Sequence, residues 1–282
     1  MTVAQINDEF RRRIVPLYGN GEADAMLRLV WSHVRGWEPV DVVLHRDDEV
    51  GVSTVESIFS IAGRLEKHEP LQYILGEANF FGLRLKVNRD TLIPRPETEG
   101  LVQLILDDFG SRSDLRVVDI GTGSGAIALA LARNLPFAKV TAIDISDGAL
   151  NVARENARRL RCDVRFVKAD ILADRRLDGR YDIVVSNPPY VLDSERKGMD
   201  PNVLDYEPDS AIFAPEADPV EFYRVISKAA AEALTDGGGL YFELNPLTAE
   251  EVRRIVEADG FRDVDLQRDI HGRIRFLRAR RK

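Results

Sequence analysis

The 282-residue chain is 44% hydrophobic and long enough for one large globular domain or for two. A net charge of −8 and a pI near 5.2 set it apart from proteins that coat nucleic acid, which carry a basic face. One cysteine, Cys162, excludes an internal disulfide, and His33, His45, His68 and His271 lack metal-ligand spacing, so no metal is expected. The first residues lack the basic-then-apolar order of a signal peptide, and no apolar run approaches the ~18 residues that span a bilayer. A reduced, cytoplasmic protein without membrane contact is expected.

Residues 3 to 70 read as helices, because Ala23, Met26, Leu27, Val30 and Val34, and then Val55, Ile58, Phe59, Ala62 and Leu65, keep helical spacing. Ser53 with Glu56 three residues later has the pattern of a capping box ahead of the second face. From Asn79 to Ile93 the pattern alternates, with Leu83, Leu85 and Val87 on one face, which predicts a hairpin joining two halves. The expected division is a helical domain over 1–75, a linking hairpin over 76–96 and an α/β domain over 97–282. Within the last, strands are predicted at Arg116–Ile120, Lys139–Asp144, Asp163–Lys168, Tyr181–Ser186 and Gly239–Leu244, with helices after the first, second and fifth. A pair at Asp263–Gln267 and Ile274–Ala279 completes the sheet. The basic end, Arg273 to Lys282, alternates with Ile274 and Phe276 and reads as a solvated edge strand.

Three features of the α/β half carry chemistry. The run Val117-Val118-Asp119-Ile120-Gly121-Thr122-Gly123-Ser124-Gly125-Ala126 is a strand entering a glycine turn and then a helix, where backbone can approach a ligand. Gly121, Gly123 and Ala126 also satisfy the dinucleotide pattern, but Asp119 before a G-x-G-x-G turn is the usual first motif of S-adenosylmethionine enzymes. Asp144 and Asp170 end the next two strands, where acids meet ribose and adenine, and Ile171 can pack on the ring. Asn187-Pro188-Pro189-Tyr190 follows an apolar strand as a stiff turn with few donors, because each proline fixes its own φ and restricts the residue before it. The Asn187 side-chain oxygen and the Pro188 carbonyl can accept both hydrogens of a planar –NH₂ group, with Tyr190 lying against that group.

Together these residues resemble the HemK family, also called PrmC, of S-adenosylmethionine-dependent glutamine methyltransferases. The resemblance covers nearly the whole chain. Its most specific parts are Pro70-Leu71-Gln72-Tyr73-Ile74-Leu75-Gly76, Phe80-Phe81-Gly82 and Leu92-Ile93-Pro94-Arg95-Pro96-Glu97-Thr98-Glu99, with further matches at Tyr206-Glu207-Pro208 and at Gly237-Gly238 leading to Phe242-Glu243. The chain departs at Leu244-Asn245, where the family often has an aliphatic residue and glycine, and in the loop from Tyr190 to Tyr206. The resemblance implies a small helical domain joined by a β-hairpin to a Rossmann-like class I methyltransferase domain of α/β class. It implies S-adenosyl-L-methionine bound by Gly121, Thr122, Gly123, Ser124, Gly125, Asp144, Asp170, Ile171 and Asn187. Asn187, Pro188, Pro189 and Tyr190 would act catalytically on the N5 nitrogen of the glutamine in the Gly-Gly-Gln motif of class 1 peptide chain release factors. Arg95-Pro96-Glu97-Thr98 would line the same cleft, with Arg95 and Glu97 binding the substrate. The helical domain would recognise the protein substrate, and a monomer without direct nucleic-acid binding is expected. The alternatives are a ribosomal-protein glutamine or a nucleic-acid exocyclic amine as methyl acceptor, since both present the same –NH₂ geometry. A nicotinamide dehydrogenase has no use for the Asn-Pro-Pro-Tyr turn, and a non-catalytic binding module has no use for Asn187 and the full glycine turn together.

Overall fold

The apolar spacing at the start of the chain becomes four helices in a computed structural model that describes residues 1–282: α1 (Val3–Arg35), α2 (Pro39–Leu44), α3 (Val52–Leu65) and α4 (Leu71–Leu75). Thr2 and Gln5 cap α1 reciprocally, each side chain accepting from the other's backbone N–H at 3.3 and 3.0 Å. Gly19, at φ 77°, breaks the helical path three residues after Pro16, whose ring removes a donor. Phe10, Ile14, Trp31, Ile58 and Leu65 are buried between α1 and α3. The Trp31 ring nitrogen donates to Asn7 at 2.8 Å, so its burial leaves no polar atom unsatisfied. The expected capping box at Ser53 does not form. Helix α3 begins at Val52 with Gly51 as its cap, so Ser53 already lies inside the first turn and its carbonyl accepts the Ser57 hydroxyl at 2.8 Å.

Residues Met1–Gly76 form one compact unit together with Asp200–Tyr206; Glu77–Met199 and Glu207–Lys282 form the other. The sequence reading placed Asp200–Tyr206 in the α/β domain. Its Tyr206 hydroxyl instead donates to the Lys67 carbonyl at 2.7 Å.

The second unit opens with a hairpin of β1 (Glu77–Phe80) and β2 (Leu83–Lys86), shorter than the expected 79–93. Phe81 and Gly82 at its tip both have positive φ, 47° and 73°, as a two-residue turn matching strand twist requires. The hairpin read as a linker packs within this unit. Buried Asn156 accepts from Lys86 N at 2.6 Å and donates to the carbonyls of Lys86 and Ser124, both at 2.9 Å. There follow α5 (Glu99–Phe109), β3 (Arg116–Ile120), α6 (Ala126–Asn134), β4 (Lys139–Asp144), α7 (Asp147–Leu160), β5 (Val164–Lys168), α8 (Ile171–Asp174), β6 (Tyr181–Ser186) and, after α9 (Pro201–Leu204) of the first unit, α10 (Asp209–Ile212). The chain ends with α11 (Glu221–Ala233), β7 (Leu234–Glu243), α12 (Ala249–Ala258), β8 (Arg262–Arg268) and β9 (Ile274–Arg280).

The seven-stranded sheet runs β5-β4-β3-β6-β7-β9-β8, parallel except that β9 is antiparallel to both its neighbours. Apolar clusters cover both faces, and all six residues of β6 are buried, which is why it reads as Tyr-Asp-Ile-Val-Val-Ser without alternation. Two expectations change here. Helix α11, absent from the predicted elements, supplies the crossover that parallel β6 and β7 demand. The basic strand β9 is not an edge: it lies between β7 and β8, and its Arg278 pairs with Asp108 and Asp265 at 3.2 and 3.3 Å. No helix is long and apolar enough to cross a membrane.

Trp31 and Trp37, the only tryptophans, stack at 5.2 Å in the first unit, so tryptophan emission reports that unit's unfolding. Phe10→Ala, by emptying a fully buried site beside them, should lower its unfolding free energy by about 3–5 kcal/mol, read from the urea midpoint of the emission change.

Candidate active site

The parallel ladder aligns the carboxyl ends of β3, β4 and β6, and the glycine turn folds over that edge. Gly121 N and Thr122 N donate to the Ile143 carbonyl at 2.9 and 3.0 Å, while Gly123 N donates to Asp144 Oδ2 at 2.8 Å. Gly121, Gly123 and Gly125 have φ of 73°, 56° and 84°, in the left-handed region that glycine enters without cost. A Cβ on Gly125 would crowd Leu129 and Ala153 at 3.1 and 3.2 Å. On Gly121 or Gly123 it would meet no atom within 4 Å, because those positions face open space.

That space is a cavity of about 460 Å³, lined by Gly121, Thr122, Gly123 and Ser124 of the turn, Asp144 and Asp170 at the next strand ends, and Ile171. Its volume lies in the ~300–1,000 Å³ range of small-molecule sites. Asp144 Oδ1 accepts from Ser146 N at 2.9 Å, so the carboxylate is held by one backbone N–H on each oxygen and keeps lone pairs for a ligand. Asp170 caps α8 through Oδ1, which accepts from Leu172 N at 2.9 Å. Exposed Ile145, half-buried Phe222 and fully buried Ile226 add apolar wall that the sequence reading did not assign. The apolar residue directly after Asp144 was the available signal.

Asn187, Pro188 and Pro189 line this same cavity. Ser186 pins the start of their turn by donating to the Ile120 carbonyl at 2.7 Å. Tyr190 does not line it. Its ring packs against the sheet's apolar cluster, and its hydroxyl donates to Glu243 Oε1 at 2.9 Å, so the phenol stands behind the turn. Arg95 reaches the cavity and is held by buried Glu207, whose oxygens accept from Arg95 at 2.5 Å and from Ile93 N at 3.0 Å. Glu97 is not among the lining residues and faces His271 at 3.8 Å.

Two groups stand behind Asn187: Thr98, of the segment expected to line the cleft, and Glu243, which was given no role from sequence. Thr98 lines the cavity, accepts from Asn187 Nδ2 at 3.4 Å and donates to Glu243 Oε2 at 2.6 Å. Burial pushes the Glu243 carboxyl above its usual range, while the Thr98 and Tyr190 hydroxyls and Arg275 act to lower it. Burial raises the Tyr190 phenol as well. In the loop beyond, Val191 bridges Phe213, residues Asp193–Gly198 make a tight helical turn, and Asn245 donates to the Tyr190 carbonyl at 3.1 Å and to Glu195 at 2.6 Å.

These features match known proteins along almost the full chain. The family described as methyltransferase small domain matches residues 99–201, and that described as PrmC N-terminal domain matches residues 16–76. The release factor glutamine methyltransferase of Bacteroides thetaiotaomicron is 41% identical over 278 residues, covering 98% of this chain and 99% of the relative. That of Deinococcus radiodurans is 39% identical over 260 residues, covering 92% and 91%. The chain belongs to the release factor glutamine methyltransferase family. A crystal structure of a methyltransferase from Pyrococcus furiosus aligns with a TM-score of 0.52 at 22% identity over 71% of this chain and 89% of that one, which bears on the fold alone. The methyl donor of this family member is S-adenosyl-L-methionine. The open faces of Gly121 and Gly123 and the acids at the rim fit a nucleoside with an amino-acid arm.

Asp119, directly before the turn, is fully buried, and desolvation pushes its carboxyl up to about 7 against hydrogen bonds from Thr122 Oγ1 at 2.6 Å and Ala128 N at 3.2 Å. Its Oδ1 has no partner. The folded state therefore holds this proton more tightly than the unfolded chain, so the contribution of Asp119 to stability falls as pH rises from the ordinary carboxyl range through 7. Asp119→Asn should remove that component. Melting temperatures recorded from pH 5 to 8 should fall less steeply in the variant than in the parent, and parallel curves would refute the assignment.

Proposed function

We propose that this chain transfers a methyl group from S-adenosyl-L-methionine to the N5 nitrogen of the glutamine in the Gly-Gly-Gln motif of class 1 peptide chain release factors. The observation that carries the reading is that Asn187 and Pro188 stand on the wall of the cavity that holds the glycine turn, Asp144 and Asp170. Methyl acceptor and methyl donor are thus served by one space. Relatives at about 40% identity named release factor glutamine methyltransferase support the acceptor. The reaction belongs to the cytoplasm, where peptide chains are terminated.

An amide nitrogen is a weak nucleophile because its lone pair is delocalised into the carbonyl, the resonance behind a rotation barrier of ~18–20 kcal/mol. When bound, S-adenosylmethionine supplies an electrophilic methyl group on a sulfonium. Asn187 Oδ1 and the Pro188 carbonyl accept the two N–H groups of the glutamine side chain. They hold the nitrogen in place and stabilise the positive charge it acquires as it is alkylated. The proline-fixed turn means these acceptors do not reorganise during the reaction. The proton then shed by the nitrogen leaves along the same hydrogen bonds to water. Asp144 takes the ribose hydroxyls, Asp170 and Ile171 border the adenine, and Gly121 to Gly125 wrap the methionine arm. Arg95, fixed by Glu207, contacts the incoming peptide. Tyr190 supports the turn from behind.

Removing one of two acceptors of developing charge should cost about 10²–10³ in kcat. Asn187→Ala should show this loss while affinity for S-adenosylmethionine falls far less. Equal loss of both would count against the reading. Asp144→Ala should weaken cofactor binding by about 10- to 100-fold in calorimetry, the range expected for a charge-assisted hydrogen bond. Transfer of labelled methyl should occur to a release factor carrying Gly-Gly-Gln and not to one carrying Gly-Gly-Ala.

A further inference from the structure

An asparagine side chain has one accepting end and one donating end of nearly equal shape, and only the accepting end can receive an N–H group. Something must therefore hold Asn187 one way round. We propose that Glu243, acting through the Thr98 hydroxyl, is the positioning residue that fixes this polarity. The inference rests on the reading of Asn187 as an amide acceptor.

Glu243 is 1% exposed, and its two oxygens accept from Thr98 Oγ1 at 2.6 Å and Tyr190 Oη at 2.9 Å. Both oxygens act as acceptors in these bonds, so each hydroxyl spends its single proton on Glu243. Thr98 is left with lone pairs alone toward Asn187, and Asn187 must meet them with Nδ2, at 3.4 Å. The Oδ1 end is thereby freed from Thr98 for substrate. With the amide reversed, Asn187 Oδ1 would face the Thr98 lone pairs, and its –NH₂ would take the place of the acceptor the substrate needs.

The rest of the network holds the carboxylate in place. Tyr223 Oη donates to the Glu243 main-chain carbonyl at 2.9 Å from α11. Arg275 Nη1 donates to Tyr190 Oη at 3.3 Å, which leaves the phenol proton for Glu243, while Arg275 Nε is bound by Asp269 at 3.4 Å. The hydrogen bonds run without a break from Asp269 through Arg275, Tyr190, Glu243 and Thr98 to Asn187. Thr98 lies in the segment after Pro94, and Glu243 at the end of β7, 145 residues away in sequence.

The test uses the full chain with an intact release factor and measures kcat, the KM for each substrate, cofactor affinity and melting temperature. Thr98→Val keeps the shape and removes the hydroxyl, and should lower kcat about 30-fold or more with cofactor affinity unchanged. Thr98→Ser restores the hydroxyl and should bring kcat within about threefold of the parent. Glu243→Gln should lower kcat as Thr98→Val does. The double variant should be no worse than the poorer single one within about threefold, because the pair acts as a unit. A purely packing role would lower the melting temperature without the serine rescue or this coupling, and that result overturns the proposal. Parental kcat in Thr98→Val beside an inactive Asn187→Ala also overturns it and leaves the acceptor reading standing. Parental kcat in Asn187→Ala overturns the acceptor reading itself. If Thr98→Val does not fold, Glu243→Gln and Thr98→Ser decide: parental kcat in Glu243→Gln, or loss of kcat in Thr98→Ser, overturns the proposal.

Discussion

The site depends on the register of three parallel strands. Ile120 pairs with Ile143 across β3 and β4 and with Ser186 across β3 and β6, so the chain leaves all three strands at one edge. From that common level the next residues are Gly121, Asp144 and Asn187. A shift of one strand by a single residue would exchange its two faces and carry Asp144 or Asn187 away from the cavity, while setting side chains fitted to one apolar cluster against the other. The apolar clusters on both faces thus hold the register, and the register holds the chemistry. Ligands of open parallel sheets bind at this edge for the same reason.

Around the edge, buried polar groups tie together segments distant in sequence. Asn156 ties the hairpin to α7 and to the carbonyl of Ser124 in the glycine turn. Glu207 ties Ile93 and Arg95 to the chain 112 residues beyond, and Glu243 ties Thr98 to Tyr190. A buried polar atom left unpaired costs about 1–3 kcal/mol, so each such group penalises arrangements in which its partners are elsewhere. The apolar core supplies the drive to fold. These groups select the arrangement in which one cavity has a glycine turn on one wall and Asn187 on another.

Much of this was legible in the sequence where the signal is local. The strand runs are apolar because the sheet is covered on both faces, and the glycines carry conformations that other residues enter at a cost. Helix α11 was also legible, through Phe222, Tyr223, Ile226, Ala230 and Ala233, yet its polar partners Glu221, Arg224 and Lys228 diluted the run. Side-chain direction was not. Tyr190 follows Pro189 whether its ring turns to the cavity or to the sheet, and only the position of Glu243 decides. Glu97 and Thr98 are adjacent, yet the helical turn at Pro96–Thr98 sends one into the cavity wall and leaves the other outside it. Thr98 and Glu243 each sit in a recognisable motif, but their meeting is a property of the fold.

The departure at Asn245 then takes on a physical sense. Its Oδ1 accepts from Leu247 N at 2.9 Å, which fixes which end of the amide is which, and both Nδ2 hydrogens are given to the Tyr190 carbonyl and to Glu195. Glu195 in turn accepts from Leu192 N at 2.9 Å. Glycine at this position would free all three groups. The side chain is 2% exposed, so no solvent would replace those bonds without rearrangement. The same chain end that places Glu243 against Tyr190 from one side therefore holds the Tyr190 carbonyl from the other, two residues later. The turn bearing Asn187 is clamped at the tyrosine hydroxyl and at the tyrosine backbone by consecutive parts of one segment. Asn245 and the start of the loop after Tyr190 are thus two halves of one contact, in which one side chain sets both the Tyr190 backbone and Glu195.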